Sequence, residues 1–221
     1  MKIFVDSSNI DEIKMAISWH LADGVTTNPS TLGKTGQDPY KVVRQICSLV
    51  KGPVSMEVTV KSHKDIVEEG RKISEISKNI LVKVPVTRDG LLAIYDLAKS
   101  GIKVNATNLF TPVQALIAAR NGASYVSTWM GRSDDIYMDA VKLVKDTKEI
   151  FDVYNIKTQI IAASIKNTRQ IVSIAKTGVD IATIPFDVIE KMTTHPMTDT
   201  TFDGFLNDWY LNPTLKRNPK K

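Results

Sequence analysis

Ile80-Leu81-Val82-Lys83-Val84-Pro85-Val86 is an apolar, β-favouring run interrupted by one lysine. A short continuous apolar run is what a strand buried on both faces requires, as in a parallel sheet covered by helices. Side chains alternate along a strand, so Leu81, Lys83 and Pro85 share one face while Val82 and Val84 share the other. Burying an ammonium costs on the order of several kcal/mol unless it is paired or the amine is neutral. Two readings fit this segment by itself. Lys83 either snorkels from the strand end to water, or it is an enclosed amine of the kind that attacks carbonyls to form Schiff bases.

Similar runs recur at residues 2–6, 24–28, 54–59, 103–110, 125–130, 158–164 and 180–186. Eight strands in 221 residues leave about 28 residues per unit, close to the roughly 30 that a strand, crossover helix and loops occupy. The stretches between them are amphipathic: Ile10, Ile13 and Ile17 follow a Ser8-Asn9-Ile10-Asp11 capping signal, and Ile66, Ile73 and Ile76 are spaced by acids and lysines. Gly24, Gly52, Gly101, Gly122 and Gly178 each fall just past a helical pattern, where a left-handed residue is expected, and Pro112 suits a first helical turn. Regular β/α alternation places the chain in the α/β class, and a count of eight predicts closure into a (β/α)₈ TIM barrel. An open doubly wound sheet would bring a glycine-rich turn after its first strand, whereas that position reads Val5-Asp6-Ser7-Ser8-Asn9. Residues 1–210 are expected to form one domain, ending in an extra helix at 199–210 that carries Phe202, Phe205, Leu206, Trp209 and Tyr210. That helix either caps its own barrel or packs on a neighbouring subunit.

The net charge of +5 does not describe the body of the protein. Lys216, Arg217, Lys220 and Lys221 lie in residues 211–221 without an acid, leaving a net +1 on the rest. The tail is expected to be a solvated, disordered end, and no nucleic-acid-binding motif accompanies it. No apolar stretch reaches the roughly 18–20 residues needed to span a bilayer, and Met1-Lys2 leads directly into a strand, so a soluble, cytoplasmic protein without membrane contact is expected. Cys47 is one mid-helix thiol beside Ile46, and His20, His63 and His195 lack metal-ligand spacing.

In a barrel of this type the active site forms at the C-terminal ends of the strands. The polar residues predicted there are Asp6, then Thr26-Thr27-Asn28-Pro29-Ser30, then Glu57, Lys83, Asn105 and Thr107. They continue with Ser127, Trp129 and Arg132 on strand six and with Ser164 and Lys166 on strand seven. Asp6 and Glu57 flanking a buried amine divide the proton transfers of carbinolamine formation, dehydration and C–C cleavage, or merely neutralise Lys83. Thr26, Asn28 and Ser30 contact a substrate or only cap the next helix. Arg132, Ser164 and Lys166 suit a phosphate monoester, although Arg132 beside Asp134 and Asp135 also fits a surface ion pair.

These segments resemble the small, single-domain transaldolases and their relatives the fructose 6-phosphate aldolases. The likeness runs through Phe4-Val5-Asp6-Ser7, Gly24-Val25-Thr26-Thr27-Asn28-Pro29-Ser30, Val82-Lys83-Val84-Pro85-Val86-Thr87, Asn105-Ala106-Thr107 and Tyr125-Val126-Ser127. It continues through Gly131-Arg132-Ser133-Asp134-Asp135, Ala162-Ala163-Ser164-Ile165-Lys166 and His195-Pro196-Met197-Thr198-Asp199. The resemblance implies that Lys83 forms a Schiff base with the C2 carbonyl of a ketose phosphate and that Asp6 takes the C4 hydroxyl proton. Asn28, Asn105 and Ser127 would hold the dihydroxyacetone unit, and Glu57 with Thr107 and Thr26 would position a proton-shuttling water. Arg132, Ser164 and Lys166 would grip phosphate. It further implies sugar-phosphate partners, no metal or organic cofactor, and a homo-oligomer of one or two five-membered rings whose last helix reaches a neighbour.

Three positions bear on which of these relatives the chain resembles. Glu57 stands where the aldolases place glutamine and agrees with transaldolases. Trp129 matches neither the transaldolase phenylalanine nor the aldolase tyrosine whose hydroxyl assists enamine protonation. Lys166 is similar to the aldolases, where transaldolases of this size more often carry arginine.

Overall fold

A computed structural model describes residues 1–135 and 138–212, apart from the side chains of Arg132, Asp134 and Asp135. Its first half runs β1 (Lys2–Asp6), α1 (Ile10–Ser18), β2 (Gly24–Thr26), α2 (Pro29–Gly33), α3 (Pro39–Leu49), β3 (Val54–Glu57), α4 (His63–Ser74), β4 (Ile80–Pro85) and α5 (Arg88–Lys99). The second half runs β5 (Val104–Leu109), α6 (Pro112–Arg120), β6 (Tyr125–Trp129), α7 (Met130–Asp135), α8 (Ala140–Val153), β7 (Gln159–Ala163), α9 (Thr168–Ala175), β8 (Ile181–Pro185), α10 (Phe186–Thr193) and α11 (Pro196–Leu211). The eight strands pair in parallel, in sequence order, and β8 closes on β1. This is the (β/α)₈ barrel that the strand count predicts, with one extra C-terminal helix.

Most strands end sooner than the apolar runs suggest, because their last residues turn to start helices. Asn28 leaves β2 to become the N-cap of α2, accepting from the Thr31 N–H at 3.0 Å while the Thr31 hydroxyl accepts from the Asn28 N–H at 3.1 Å. Asn9 caps α1, Thr87 caps α5 and Thr111 caps α6 just before Pro112, so these βα junctions satisfy orphan N–H groups with a local side chain, whereas α10 starts at Pro185 without a side-chain cap.

Gly101, Gly122 and Gly178 take the left-handed backbone expected after a helix. Gly24 and Gly52 do not, and the reason for glycine there is space. A Cβ on Gly24 would sit 2.6 Å from the Phe4 ring inside the barrel, and one on Gly52 would sit 1.7 Å from the Asp23 carbonyl oxygen.

Period-two alternation separates two apolar regions. Val5, Val25, Val54, Val82, Val84, Val126 and Ile160 face outward and pack with the inner faces of the helices. Inside the barrel, Phe4, Ile161 and Ile181 form a separate cluster with Tyr125 packed against it. This cluster lies one inward step below the polar residues at the strand ends, so it forms the floor of the site.

α11 does not cap the barrel. None of its residues is buried, and Phe202, Phe205 and Trp209 are 59%, 67% and 55% exposed. Of the two placements open to an aromatic-rich end helix, burial of its face against its own barrel is excluded. The last basic residues, 213–221, lie outside the described residues. Among the described residues no helix is long and apolar enough to cross a membrane, and no group of three His, Cys, Asp or Glu side chains is placed to hold a metal ion.

Candidate active site

Lys83 points into the barrel. Its neighbours Val82 and Val84 are fully enclosed on the helix side, while Lys83 itself is 6% exposed. Its Nζ lies 2.9 Å from Oε2 of Glu57 and donates to the Thr27 carbonyl at 3.4 Å. The register makes the pairing unavoidable, since Glu57 on β3 is level with Lys83 on β4 and both point inward. Snorkelling to bulk water is therefore not how this lysine is accommodated.

Asp6 ends β1 beside Thr26 of β2, whose hydroxyl donates to Asp6 Oδ1 at 3.4 Å. Burial pushes the Asp6 carboxyl above the ordinary carboxylate range, while Lys83, the Thr26 hydrogen bond and Lys166 pull the other way. Two carboxyl groups thus flank one amine in different surroundings: Glu57 is ion-paired with it, and desolvation raises the proton affinity of Asp6. That division suits chemistry in which one group handles the amine's protons and another handles a substrate hydroxyl.

Below these groups lies a chain of polar side chains. The Ser127 hydroxyl donates to Asn105 Oδ1 at 2.8 Å, and Asn105 Nδ2 donates to Ser55 Oγ at 3.2 Å. Both hydrogen bonds orient the amide, since its acceptor and donor ends face different strands. Above, the Trp129 indole N–H donates to the Thr107 hydroxyl at 3.3 Å, and its ring lies 6.2 Å from that of Phe110.

A cavity of about 430 Å³ opens over this layer. Asp6, Thr26, Asn28, Glu57, Lys83, Thr107, Ser127, Trp129, Ser164 and Lys166 all line it. Asn105 does not; it is fully buried, and reaches the cavity through Ser127. The Arg132 side chain lies outside the described residues, and its backbone belongs to α7 rather than to strand six. Ser164 and Lys166 follow β7 instead of lying within it. Thr26, Asn28 and Ser30 all line the cavity, while Asn28 also caps α2 and the Thr26 hydroxyl donates to Asp6.

The rim is tightly built around Gly131. Its N–H donates to the Ser164 carbonyl at 2.9 Å, and an added Cβ would sit 2.5 Å from that oxygen and 2.7 Å from Lys166 Cε. Ser164 and Asn108, both at the cavity, have left-handed backbones with φ of 61° and 59°. Such conformations are uncommon for residues with a Cβ and concentrate at functional sites.

Four cavity residues are absent from the sequence analysis: Thr31, Asn108, Thr183 and Pro185. Parity on β8 would have found the last two, because Ile181, Thr183 and Pro185 share the inward face. Asn108 follows a register shift in β5, which period-two counting does not foresee.

Comparison with known proteins finds likeness along almost the whole chain. Residues 3–214 match the family described as Transaldolase/Fructose-6-phosphate aldolase. A protein of Hydrogenobaculum sp. (strain Y04AAS1) named "Probable transaldolase" is 50% identical over 213 residues, covering 96% of this chain and 98% of its own length. Its namesake from Caldicellulosiruptor saccharolyticus is 49% identical over 214 residues, covering 96% and 99%. One from Methanococcus maripaludis is 44% identical over 209 residues, covering 95% and 97%. With likeness of this extent on both sides of each alignment, the chain belongs to the transaldolase/fructose-6-phosphate aldolase family.

Proposed function

We propose that the protein is a transaldolase, moving a dihydroxyacetone unit from a ketose phosphate to an aldose phosphate through a Schiff base on Lys83. The observation that carries this reading is the enclosed Lys83–Glu57 pair at 2.9 Å in a polar cavity shared with Asp6. Glu57 accepts a proton from Lys83, and the neutral amine adds to the C2 carbonyl of fructose 6-phosphate. Loss of water from the carbinolamine leaves an iminium. Asp6 then takes the C4 hydroxyl proton, the C3–C4 bond breaks, glyceraldehyde 3-phosphate leaves, and the bonding pair passes into the iminium to give an enamine.

Asn28, Asn105 and Ser127 hold the hydroxyls of the retained three carbons, while Thr107 and Thr26 help to seat the water that Glu57 uses. Arg132, Ser164 and Lys166 bind phosphate. When erythrose 4-phosphate enters, the enamine carbon attacks its aldehyde, Asp6 returns the proton to the new hydroxyl, and hydrolysis of the iminium frees sedoheptulose 7-phosphate and Lys83. In this role the protein serves the non-oxidative pentose phosphate pathway.

Borohydride reduction with fructose 6-phosphate is expected to add a three-carbon mass to Lys83, and Lys83→Met to abolish it; a wild-type protein without the adduct refutes the mechanism. Trp129 favours transfer over release of free dihydroxyacetone, since its N–H is directed at Thr107 and the side chain has no hydroxyl to protonate the enamine. Product formed from fructose 6-phosphate at a comparable rate without an acceptor would instead make the protein an aldolase.

A further inference from the structure

β1 lies between β8 and β2, and the register sets Thr183 level with Phe4 and Thr26 level with Asp6. Both threonines point inward and are buried, so their hydroxyls meet beside β1 at 2.6 Å. Thr26 also reaches Asp6 Oδ1 at 3.4 Å. A hydroxyl donates one hydrogen bond. When Asp6 is ionised its charge claims the Thr26 proton, and Thr183 must then be the donor within the threonine pair. When Asp6 has taken a proton, its O–H can donate to Thr26 and Thr26 to Thr183. The chain then runs the other way, with no heavy atom displaced.

We propose that Thr183 is a positioning residue for proton transfer at Asp6, acting through Thr26 as a two-hydroxyl relay that reverses direction with each transfer. The proposal rests on the assignment of Asp6 as the group that exchanges a proton with the substrate hydroxyl. Thr183 itself needs no contact with the reacting carbons. The advantage is that a desolvated carboxylate is supported without a fixed donor that would oppose its protonation. Hydrogen bonds in a chain polarise one another, strengthening each by about 10–30%, and the bond to a charged acceptor gains most. Removing the Thr183 hydroxyl therefore weakens support for ionised Asp6 more than for the protonated form. The charged groups around Asp6 are Lys83, Glu57 and Lys166 in the cavity and Asp11, Glu12, Lys34 and Asp187 in an adjoining hollow. A change at Thr183 alters none of them.

The test is the pH dependence of kcat and kcat/KM for transfer from fructose 6-phosphate to erythrose 4-phosphate in wild type, Thr183→Val and Thr183→Ser. Thr183→Val is expected to move the acid limb of kcat upward by about half a pH unit, an activity loss of about threefold below the limb. KM should change less than about twofold, and Thr183→Ser should restore the wild-type profile. A Thr183→Val profile that superimposes on wild type, an effect confined to KM, or a Thr183→Ser profile matching that of Thr183→Val overturns the relay. Should Thr183→Val not fold, Thr183→Ala removes the same hydroxyl and carries the same expectation and the same refutation. The borohydride adduct on wild-type Lys83, measured alongside, separates the two ideas. Its absence removes the site assignment, whereas its presence with an unmoved acid limb removes only the relay.

Discussion

Lys83→Met should cost the fold as well as the chemistry, and the size of that cost tests how the buried amine is held. The substitution keeps an unbranched chain of similar length but leaves the Glu57 carboxylate facing apolar atoms. The pair it breaks has a separation of 2.9 Å and side-chain exposures of 8% and 11%. At an effective dielectric of about 20, Coulomb's law gives about 6 kcal/mol of gross attraction at this distance. Desolvation opposes most of it, and removing one member of a buried pair typically costs about 3–5 kcal/mol because the other charge stays behind unpaired.

Lys83→Met and Glu57→Gln are each expected to lose about 3–5 kcal/mol, and the double variant less than their sum by about 2–3 kcal/mol. For a chain of this size each 1 kcal/mol moves Tm by about 2–4 °C. Urea unfolding at neutral pH, at one protein concentration so that self-association is held constant, reads these values from midpoints at unchanged slope. Additivity within about 0.5 kcal/mol, or either single variant costing under about 1 kcal/mol, would refute the reasoning, because the amine and the carboxylate would then each be solvated on their own.

Asp6→Asn should separate activity from stability in the opposite sense. Burial raises the proton affinity of Asp6 on folding, so the stability it contributes is present at low pH and is lost as pH rises through its folded value. The variant should unfold at higher temperature than wild type at neutral pH, with the gap closing as pH falls to about 4, while transfer drops at least about 10²-fold; a lower Tm at neutral pH would contradict this. Gly131→Ala forces a Cβ to within 2.5 Å of the Ser164 carbonyl oxygen, and is expected to cost about 1–3 kcal/mol and to raise KM for fructose 6-phosphate but not for unphosphorylated fructose. An equal KM change for both sugars would show that the rim does not serve phosphate. Cys47 is buried on α3, which pushes its thiol up to about 11. Native protein should resist a thiol reagent at about pH 8 and react after unfolding in urea, and rapid labelling of the native form would show the helix face to be open.

The barrel was legible because two simple regularities agree along the chain: apolar runs recur at near-constant spacing, and polar residues gather at their C-terminal ends. Parity within Ile80–Pro85 left Lys83 able to face inward, the rule that barrel sites form at the C-terminal strand ends grouped it with Asp6, Glu57 and Ser127, and one cavity is lined by all four. The roles that depend on packing were less visible. Gly24 and Gly52 look like helix-ending glycines by position, and only the neighbouring Phe4 ring and Asp23 carbonyl reveal that they are small for clearance. Asn105 looks like a cavity residue by parity, but Ser55 and Ser127 hold it beneath the surface. Parity on β8 points Thr183 inward, but its role stays hidden until its partner Thr26 across β1 is known.

The floor made by Phe4, Ile161, Ile181 and Tyr125 has a kinetic consequence. With the lower end of the barrel plugged by hydrocarbon, the departing and arriving aldehydes of the proposed transfer would share one doorway and could not occupy it together. Turnover on such a dead-end chamber is expected to be ping-pong, and excess glyceraldehyde 3-phosphate should slow it by competing with the second sugar for the vacated space.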